Sequence, residues 1–185
     1  DGVFNVVHGD KESVDALLEH PDIQSISFVG STPIARYIYE TASKNGKRVQ
    51  ALGGAKNHML VLPDADLELV ADSAINAGFG SAGERCMAIS VVVAVEPVAD
   101  DLIAKIKSRM SDLKVGDGTR GCDMGPLITE AHRDKVASYI DIATKDGATV
   151  VVDGRGIEVD GGEGGFWLGP TLIDNVSVDS DVYKH

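Results

Sequence analysis

The first 52 residues alternate between short, mainly apolar segments and segments whose apolar residues have helical spacing. Three of the short segments predict strands, at residues 3–7, 25–29 and 48–52. Two stretches between them have the spacing of helices, at residues 14–18 and 32–46. Strands that alternate with helices at this spacing favour parallel pairing with helical crossovers. This part of the chain therefore predicts a parallel βαβαβ unit, half of a doubly wound sheet.

The longer of these helices has clear start and stop signals. Thr32 is a good N-cap residue, Pro33 suits the first helical position, and Gly46 ends the pattern. The residues predicted to form its buried face are Ile34, Ile38 and Ala42.

After a glycine-rich break at residues 53–56, the strand and helix patterns continue. Predicted strands follow at residues 59–62, 89–95 and 149–152, and predicted helices at residues 64–74, 102–110 and 130–146. A glycine-rich hairpin region covers residues 153–165. The chain is thus predicted to be an α/β protein of two parts, residues 1–53 and 54–185.

Composition narrows the possible partners. The 185 residues are 43% hydrophobic and 25% charged, which is typical of a globular chain rather than a disordered one. The formal net charge of −12, without a dense run of Lys or Arg, disfavours nucleic acid and anionic membranes. We therefore expect a small-molecule partner.

The two cysteines, Cys86 and Cys122, lie far apart in the sequence and form no metal-binding spacing. We therefore expect reduced thiols, no disulfide and no metal site. No apolar run approaches the roughly 20 residues of a membrane span. We expect a cytoplasmic protein, or one of the mitochondrial matrix if its source is eukaryotic.

Gly30, Ser31 and Thr32 connect a predicted strand to the start of a helix. Unbonded N–H groups and the positive end of the helix dipole would face a ligand beyond the strand, which suits a nucleotide diphosphate. The alternative is that Ser31 and Thr32 only cap the helix, since no GxGxxG motif accompanies them.

Cys86 lies in the segment GSAGERCMAIS, residues 80–90, between a predicted helix and a predicted strand. Small neighbours allow a ligand to approach, and the adjacent Arg85 favours the thiolate over the thiol. Cys86 is therefore a candidate nucleophile, although free cysteines are more often inert core residues. We interpret Cys122 as structural or incidental.

Several motifs occur in the order and at the spacings of the aldehyde dehydrogenase superfamily. They are Phe28-Val29-Gly30-Ser31, Leu52-Gly53-Gly54-Ala55-Lys56, Gly83-Glu84-Arg85-Cys86 and Asp123-Met124-Gly125-Pro126-Leu127. Within it, residues 50–58 and 83–88 resemble the CoA-acylating branch that acts on methylmalonate and malonate semialdehydes. The resemblance covers essentially the whole chain but less than half of a family protein.

The resemblance implies a fragment. Residues 1–53 would be the C-terminal half of a Rossmann-type cofactor domain, and residues 54–185 part of an α/β catalytic domain. The family's full-length protein is expected to be a homo-oligomer, whereas this chain alone is expected to be inactive. The competing interpretation is a non-catalytic module.

The resemblance also implies a mechanism. Cys86 would attack the aldehyde, a hydride would pass to NAD, and coenzyme A as co-substrate would take the acyl group from the Cys86 thioester, giving propionyl-CoA or acetyl-CoA. Ser31, next to Gly30, would lie at the cofactor diphosphate. Gly53 would help orient the nicotinamide.

Leu52 occupies the position at which hydrolytic family members carry a water-activating glutamate. Leucine has no proton acceptor and cannot activate water, which favours release of the acyl group to a thiol. Acylating relatives often have a polar amide there, so Leu52 differs from their pattern too. The alternative is a hydrolytic aldehyde dehydrogenase.

Arg85 has two possible roles. A guanidinium beside the nucleophile can hold the carboxylate of an acidic semialdehyde by paired hydrogen bonds. Alternatively, Arg85 is a surface arginine paired with Glu84 or another acid. The resemblance favours the substrate-binding role.

Overall fold

The computed structural model describes residues 2–185 and shows a mixed α/β chain that divides into two compact units. The first unit is Asp1–Ala55 and the second is Lys56–His185. The boundary falls within the glycine-rich segment at residues 53–56. The cofactor-binding and catalytic roles assigned to the two parts stay predictions.

The first unit contains two helices and one parallel strand pair. In chain order its elements are α1 (Lys11–Glu19), β1 (Ser25–Val29), α2 (Thr32–Lys44) and β2 (Arg48–Leu52). Strands β1 and β2 pair in parallel, with Ser25 opposite Arg48 and Val29 opposite Leu52. The buried residues Leu18, Ile38 and Ala42 form the core, against which Ile26, Phe28 and Val49 pack. Both strands have the predicted bounds.

Residues 3–7 do not form the strand that their apolar run predicts. Val3 and Phe4 are 98% and 86% exposed. Within residues 2–185, no strand pairs with this segment, since β1 and β2 bond only to each other. A strand without a neighbour leaves its backbone groups without ladder hydrogen bonds, so the apolar run alone does not produce one.

The prediction that Ile34, Ile38 and Ala42 form the buried face of α2 is also partly wrong. Ile34 is 49% exposed, and Ala35 is buried together with Ile38 and Ala42. Repeated steps of four residues move the side-chain position around the helix axis in one direction, by about 40° each. Alternating steps of three and four residues move it in opposite directions, so the side chains stay along one line. The series that begins at Ala35 therefore keeps to one face.

The second unit contains a parallel and an antiparallel strand pair. Its elements are β3 (Asn57–Val61), α3 (Leu67–Phe79), β4 (Ile89–Ala94), α4 (Ala99–Met110), α5 (Glu130–Lys145), β5 (Thr149–Val152), β6 (Leu172–Asp174) and α6 (Asp181–Lys184). Strands β3 and β4 pair in parallel, and β5 and β6 pair antiparallel. The strand at 149–152 matches its predicted bounds.

Helices α3 and α4 share the main core of this unit with β3. The buried residues are Val61, Ala71, Ala74, Val98, Leu102, Ile106 and Met110. Burial of these side chains supplies most of the free energy that holds the two helices against the strands. Because α3 leads into the segment that carries Cys86, this core fixes where that segment begins.

An ion-pair network also joins α3 and α4. Arg109 contacts Glu68 and Asp72, and Lys105 contacts Glu68. Hydrogen bonds from Arg109 and then Lys105 lower the pKa of Glu68 to about 2. The carboxylates are exposed, so solvent screens the pairs and their contribution to stability is small beside that of the apolar core.

Residues 2–185 lack both a membrane-spanning helix and a metal-binding cluster. No helix there is long and apolar enough to cross a membrane. No group of three or more His, Cys, Asp or Glu side chains is arranged to hold a metal ion in that range.

Leu102→Ala should lower the free energy of unfolding by about 2–5 kcal/mol, because the side chain is 2% exposed and its loss leaves a cavity. The matched control is Leu69→Ala, since Leu69 is 64% exposed on α3. Urea unfolding followed by the fluorescence of the single tryptophan, Trp167, measures both variants in the same unit. Equal losses in the two variants would contradict the assigned core.

Candidate functional site

The parallel pairing of β1 and β2 brings the carboxyl ends of both strands to one edge of the first unit. The ladder extends beyond the strands, because the Gly30 N–H donates to the Leu52 carbonyl oxygen at 3.1 Å. The segments that follow, from Ser31 and from Gly53, therefore leave the sheet side by side. This is the edge at which α/β sheets commonly bind ligands.

Thr32 holds the segment after β2. Its Oγ1 accepts a hydrogen bond from the Gly54 N–H at 3.1 Å. A Cβ on Gly53 would lie 2.7 Å from that oxygen and 3.3 Å from the Thr32 Cα, so only glycine fits without a shift. The sequence predicted Thr32 as the N-cap, but the N-cap is Ser31 and the Thr32 hydroxyl serves Gly54.

The first turn of α2 is open to an anion. The Ser31 side chain makes no capping hydrogen bond, and no acidic residue lies in the first turn. Ser31 and Thr32 are both exposed. Backbone N–H groups that lack a partner and the positive end of the helix dipole favour a negatively charged group at this position.

Leu52 is not a core residue. Its side chain is 50% exposed, and its register partner Val29 is 58% exposed. Both lie on the face of the β1–β2 pair opposite to Ile26 and Phe28, which pack on the core. A polar side chain at Leu52 would therefore meet little steric or desolvation cost.

In the second unit, the segment before Cys86 has an unusual backbone. Ser81, Ala82 and Gly83 have φ angles of 54°, 52° and 75°. The left-handed conformation costs roughly 1–2 kcal/mol for a residue with a Cβ, so Ser81 and Ala82 are strained. These residues turn the chain from α3 towards β4 over a short distance.

Cys86 and Met87 occupy the centre of a turn closed by a hydrogen bond from the Ala88 N–H to the Arg85 carbonyl oxygen at 2.9 Å. Cys86 is exposed and Met87 is 81% exposed, whereas Ala88 is buried. The Cys86 sulfur can therefore be reached from outside the unit. This placement suits a nucleophile and not an inert core cysteine.

Cys122 lies in a different setting. It is half-buried and free, and its sulfur packs against Gly116, where an added Cβ would approach within 2.7 Å. Close packing restricts access of reagents to this thiol. The two cysteines thus differ as expected for one accessible and one structural thiol.

Arg85 does not pair with Glu84. Within residues 2–185, no carboxylate lies within ion-pair distance of its guanidinium, and Glu84 instead lies 3.7 Å from the Nε2 atom of His132. The guanidinium packs against Gly80, where a Cβ would lie 3.0 Å from the Arg85 Cζ. Arg85 is exposed, so its charge is available to a ligand.

Asn57 contacts the Cys86 turn, which the sequence analysis did not foresee. Its side-chain Nδ2 donates to the carbonyl oxygens of Cys86 at 3.0 Å and Ala88 at 2.9 Å. Asn57 lies 29 residues before Cys86 in the sequence. The local sequence gives little signal, because Asn57 is followed by a second polar residue, His58, at the start of β3.

A model of the aldehyde dehydrogenase family matches residues 1–185. The malonate-semialdehyde dehydrogenase of Pseudomonas aeruginosa is 57% identical over 185 residues, which are 99% of this chain and 37% of that protein. The chain thus spans less than two-fifths of the length of this curated relative.

Solved structures give the same result. The methylmalonate-semialdehyde dehydrogenase of Oceanimonas doudoroffii matches with a TM-score of 0.95 and 56% identity. The matched region is 100% of this chain and 38% of the Oceanimonas chain. A Sinorhizobium meliloti protein assigned as a methylmalonate-semialdehyde dehydrogenase, in complex with NAD, has a TM-score of 0.93 and 53% identity. The matched region is 98% of this chain and 37% of the Sinorhizobium chain.

Proposed function

The chain belongs to the aldehyde dehydrogenase family, and we propose that the full-length protein oxidises methylmalonate or malonate semialdehyde with NAD and transfers the acyl group to coenzyme A. The acyl group would be carried as a thioester on Cys86. The observation that carries this proposal is the exposed Cys86 at the centre of a turn, beside Arg85, whose guanidinium has no carboxylate at ion-pair distance within residues 2–185. Relatives named for these two semialdehydes support the substrate class.

In the proposed reaction the Cys86 thiolate forms a bond to the aldehyde carbon, which gives a thiohemiacetal. The carbonyl oxygen becomes an oxyanion. Within residues 2–185, the amide N–H of Cys86 donates to no acceptor, so it is available to stabilise that charge. Departure of the hydride re-forms the carbonyl as a thioester. Attack by the thiol of coenzyme A then releases Cys86.

The first unit fits the diphosphate of NAD. Ser31 and the first turn of α2 offer unpaired N–H groups, and the absence of side chains on Gly30 and Gly53 keeps the backbone close-packed at that edge. Bound NAD would supply the hydride acceptor. The relative solved in complex with NAD supports this cofactor.

Arg85 would bind the substrate carboxylate. A guanidinium presents paired donors that match a carboxylate, and no acid within residues 2–185 competes for it. The products propionyl-CoA and acetyl-CoA have one carbon fewer than the corresponding acyl groups, so the carboxylate would leave as CO₂ and the α-carbon would take up a proton from solvent in its place. Arg85 would thus hold the substrate by the group that is later lost.

Coenzyme A is proposed as the acyl acceptor because Leu52 cannot act as a base. Its exposed position means that a carboxylate could be accommodated there, yet the chain carries an apolar side chain. A thiol needs less activation than water to attack a thioester. The proposal therefore assigns slow hydrolysis and fast transfer to a thiol.

In the full-length protein, Cys86→Ala should abolish NADH formation from methylmalonate semialdehyde, because no other residue would carry the acyl group. Cys122→Ala is the matched control and should keep most of the activity, since that thiol packs against Gly116. NADH absorbance measures both variants. The assignment of Cys86 is wrong if both substitutions cause the same loss.

Arg85→Leu should reduce kcat/KM for an acidic semialdehyde by about 10- to 150-fold, the equivalent of about 1.5–3 kcal/mol for a lost charge-assisted pair. The loss for propanal should be small because propanal has no carboxylate. Steady-state kinetics with both substrates measure the difference. Similar losses for the two aldehydes would show that Arg85 supports the fold or the thiol and not the substrate.

Without coenzyme A, the full-length protein should give a burst of NADH followed by slow turnover, and coenzyme A should accelerate that turnover strongly. Leu52→Glu should raise the rate without coenzyme A, because it restores the base that the resemblance assigns to hydrolytic members. Leu52→Gln is the control, as it adds polarity without a base. Equal wild-type turnover with and without coenzyme A would return the protein to the hydrolytic class.

A further inference from the structure

A bulge in the β3–β4 ladder lies next to the Cys86 turn. Asn57 is opposite Ile89, but the next residue, His58, is opposite Val91. Ser90 is thus the extra residue on β4. Bulges disrupt the ladder locally and re-aim the neighbouring side chains. Here the bulge lies at the amino ends of both strands, where the chain arrives from Cys86.

Parallel pairing explains how Asn57 reaches this turn. The amino ends of two parallel strands lie at the same edge, so the first residue of β3 is next to the residues that precede β4. The side chain of Asn57 projects there and donates from one nitrogen to two carbonyl oxygens, those of Cys86 and Ala88. A primary amide has the two hydrogens that this arrangement needs.

The segment that precedes the turn needs contacts to keep its backbone in place. Ser81 and Ala82 are held in left-handed conformations, which persist only when surrounding contacts enforce them. Closer to Cys86 in the same segment, Glu84 lies 3.7 Å from His132, and the His132 side chain is 48% exposed. A contact of this length and exposure contributes little. Among residues 2–185, the side-chain hydrogen bonds to the Arg85–Ala88 turn from outside it are the two from Asn57.

We propose that Asn57 is a positioning residue for Cys86, an inference that rests on the proposed nucleophilic role of that cysteine. By holding the carbonyl groups of Cys86 and Ala88, Asn57 fixes the backbone from which the sulfur projects. A nucleophile displaced by a fraction of an ångström from its line of attack loses rate while the substrate still binds. Asn57 therefore acts on the chemical step through Cys86.

Asn57→Asp is the sharpest test, because it preserves the size of the side chain and removes both donors. A carboxylate would face two carbonyl oxygens, and the turn should be repelled from β3. In the full-length protein we expect the NADH burst rate to fall on the order of tenfold to a hundredfold, with little change in KM. Lowering the pH should restore part of the rate, because a protonated carboxyl donates one hydrogen bond.

A second readout does not require dehydrogenase activity. In a Cys122→Ser background, the rate of alkylation of Cys86 by iodoacetamide should change at least about fivefold in Asn57→Asp and Asn57→Ala, with an altered pH profile. Asn45→Ala is the matched control, since Asn45 also donates from Nδ2 to a backbone oxygen, that of Thr41 at 2.9 Å, but in the first unit. All variants are compared at the same interval below their own Tm.

Wild-type burst and alkylation rates in both Asn57 variants would overturn the proposal. So would losses that match those of Asn45→Ala at equal loss of stability. If Cys86→Ala retained dehydrogenase activity, the proposed function would be wrong. The alkylation rates of Cys86 in the Asn57 variants would still decide whether Asn57 positions the turn.

Discussion

Parallel pairing of two strands is the constraint on which each unit depends, because it requires a crossover helix and brings like ends of the strands together. In the first unit the carboxyl ends of β1 and β2 place Ser31 and Gly53 at one edge. In the second unit the amino ends of β3 and β4 place Asn57 beside the Cys86 turn. The candidate site residues of each unit therefore come from segments that are distant in sequence.

The parallel pairs are covered unequally. Helices pack on one face of each pair, whereas side chains on the other face are exposed, with Val29 at 58%, Leu52 at 50% and Leu60 at 64%. Strands of parallel sheets are usually buried on both faces, and their sequences are accordingly apolar throughout. These strands thus contain more hydrophobic residues than the described units bury. The chain also spans only 37–38% of the length of its relatives.

The sequence could predict features that depend on neighbouring residues. The bounds of the strands at 25–29, 48–52 and 149–152 agree with the structure because apolar runs end at glycine or charged residues. Residues 3–7 have the same pattern but no strand partner, which a local pattern cannot reveal. The hydrogen bonds of Asn57 and Thr32 were missed for the same reason, since their partners lie 29, 31 and 22 residues away. The exposure of Cys86 agrees with the small residues and the loop in which the sequence places it.

Arg85 is exposed, and within residues 2–185 no carboxylate lies at ion-pair distance from it. The chain has 29 Asp or Glu and 17 Lys or Arg residues, and the arginines described in ion pairs are Arg109, Arg133 and Arg155. A net charge of −12 repels anions at long range, but screening at physiological salt limits this repulsion to about 8 Å. An anionic semialdehyde would therefore be selected by direct contact with the guanidinium and not by long-range attraction. In the proposed function, such contact would discriminate an acid from a neutral aldehyde next to the exposed Cys86.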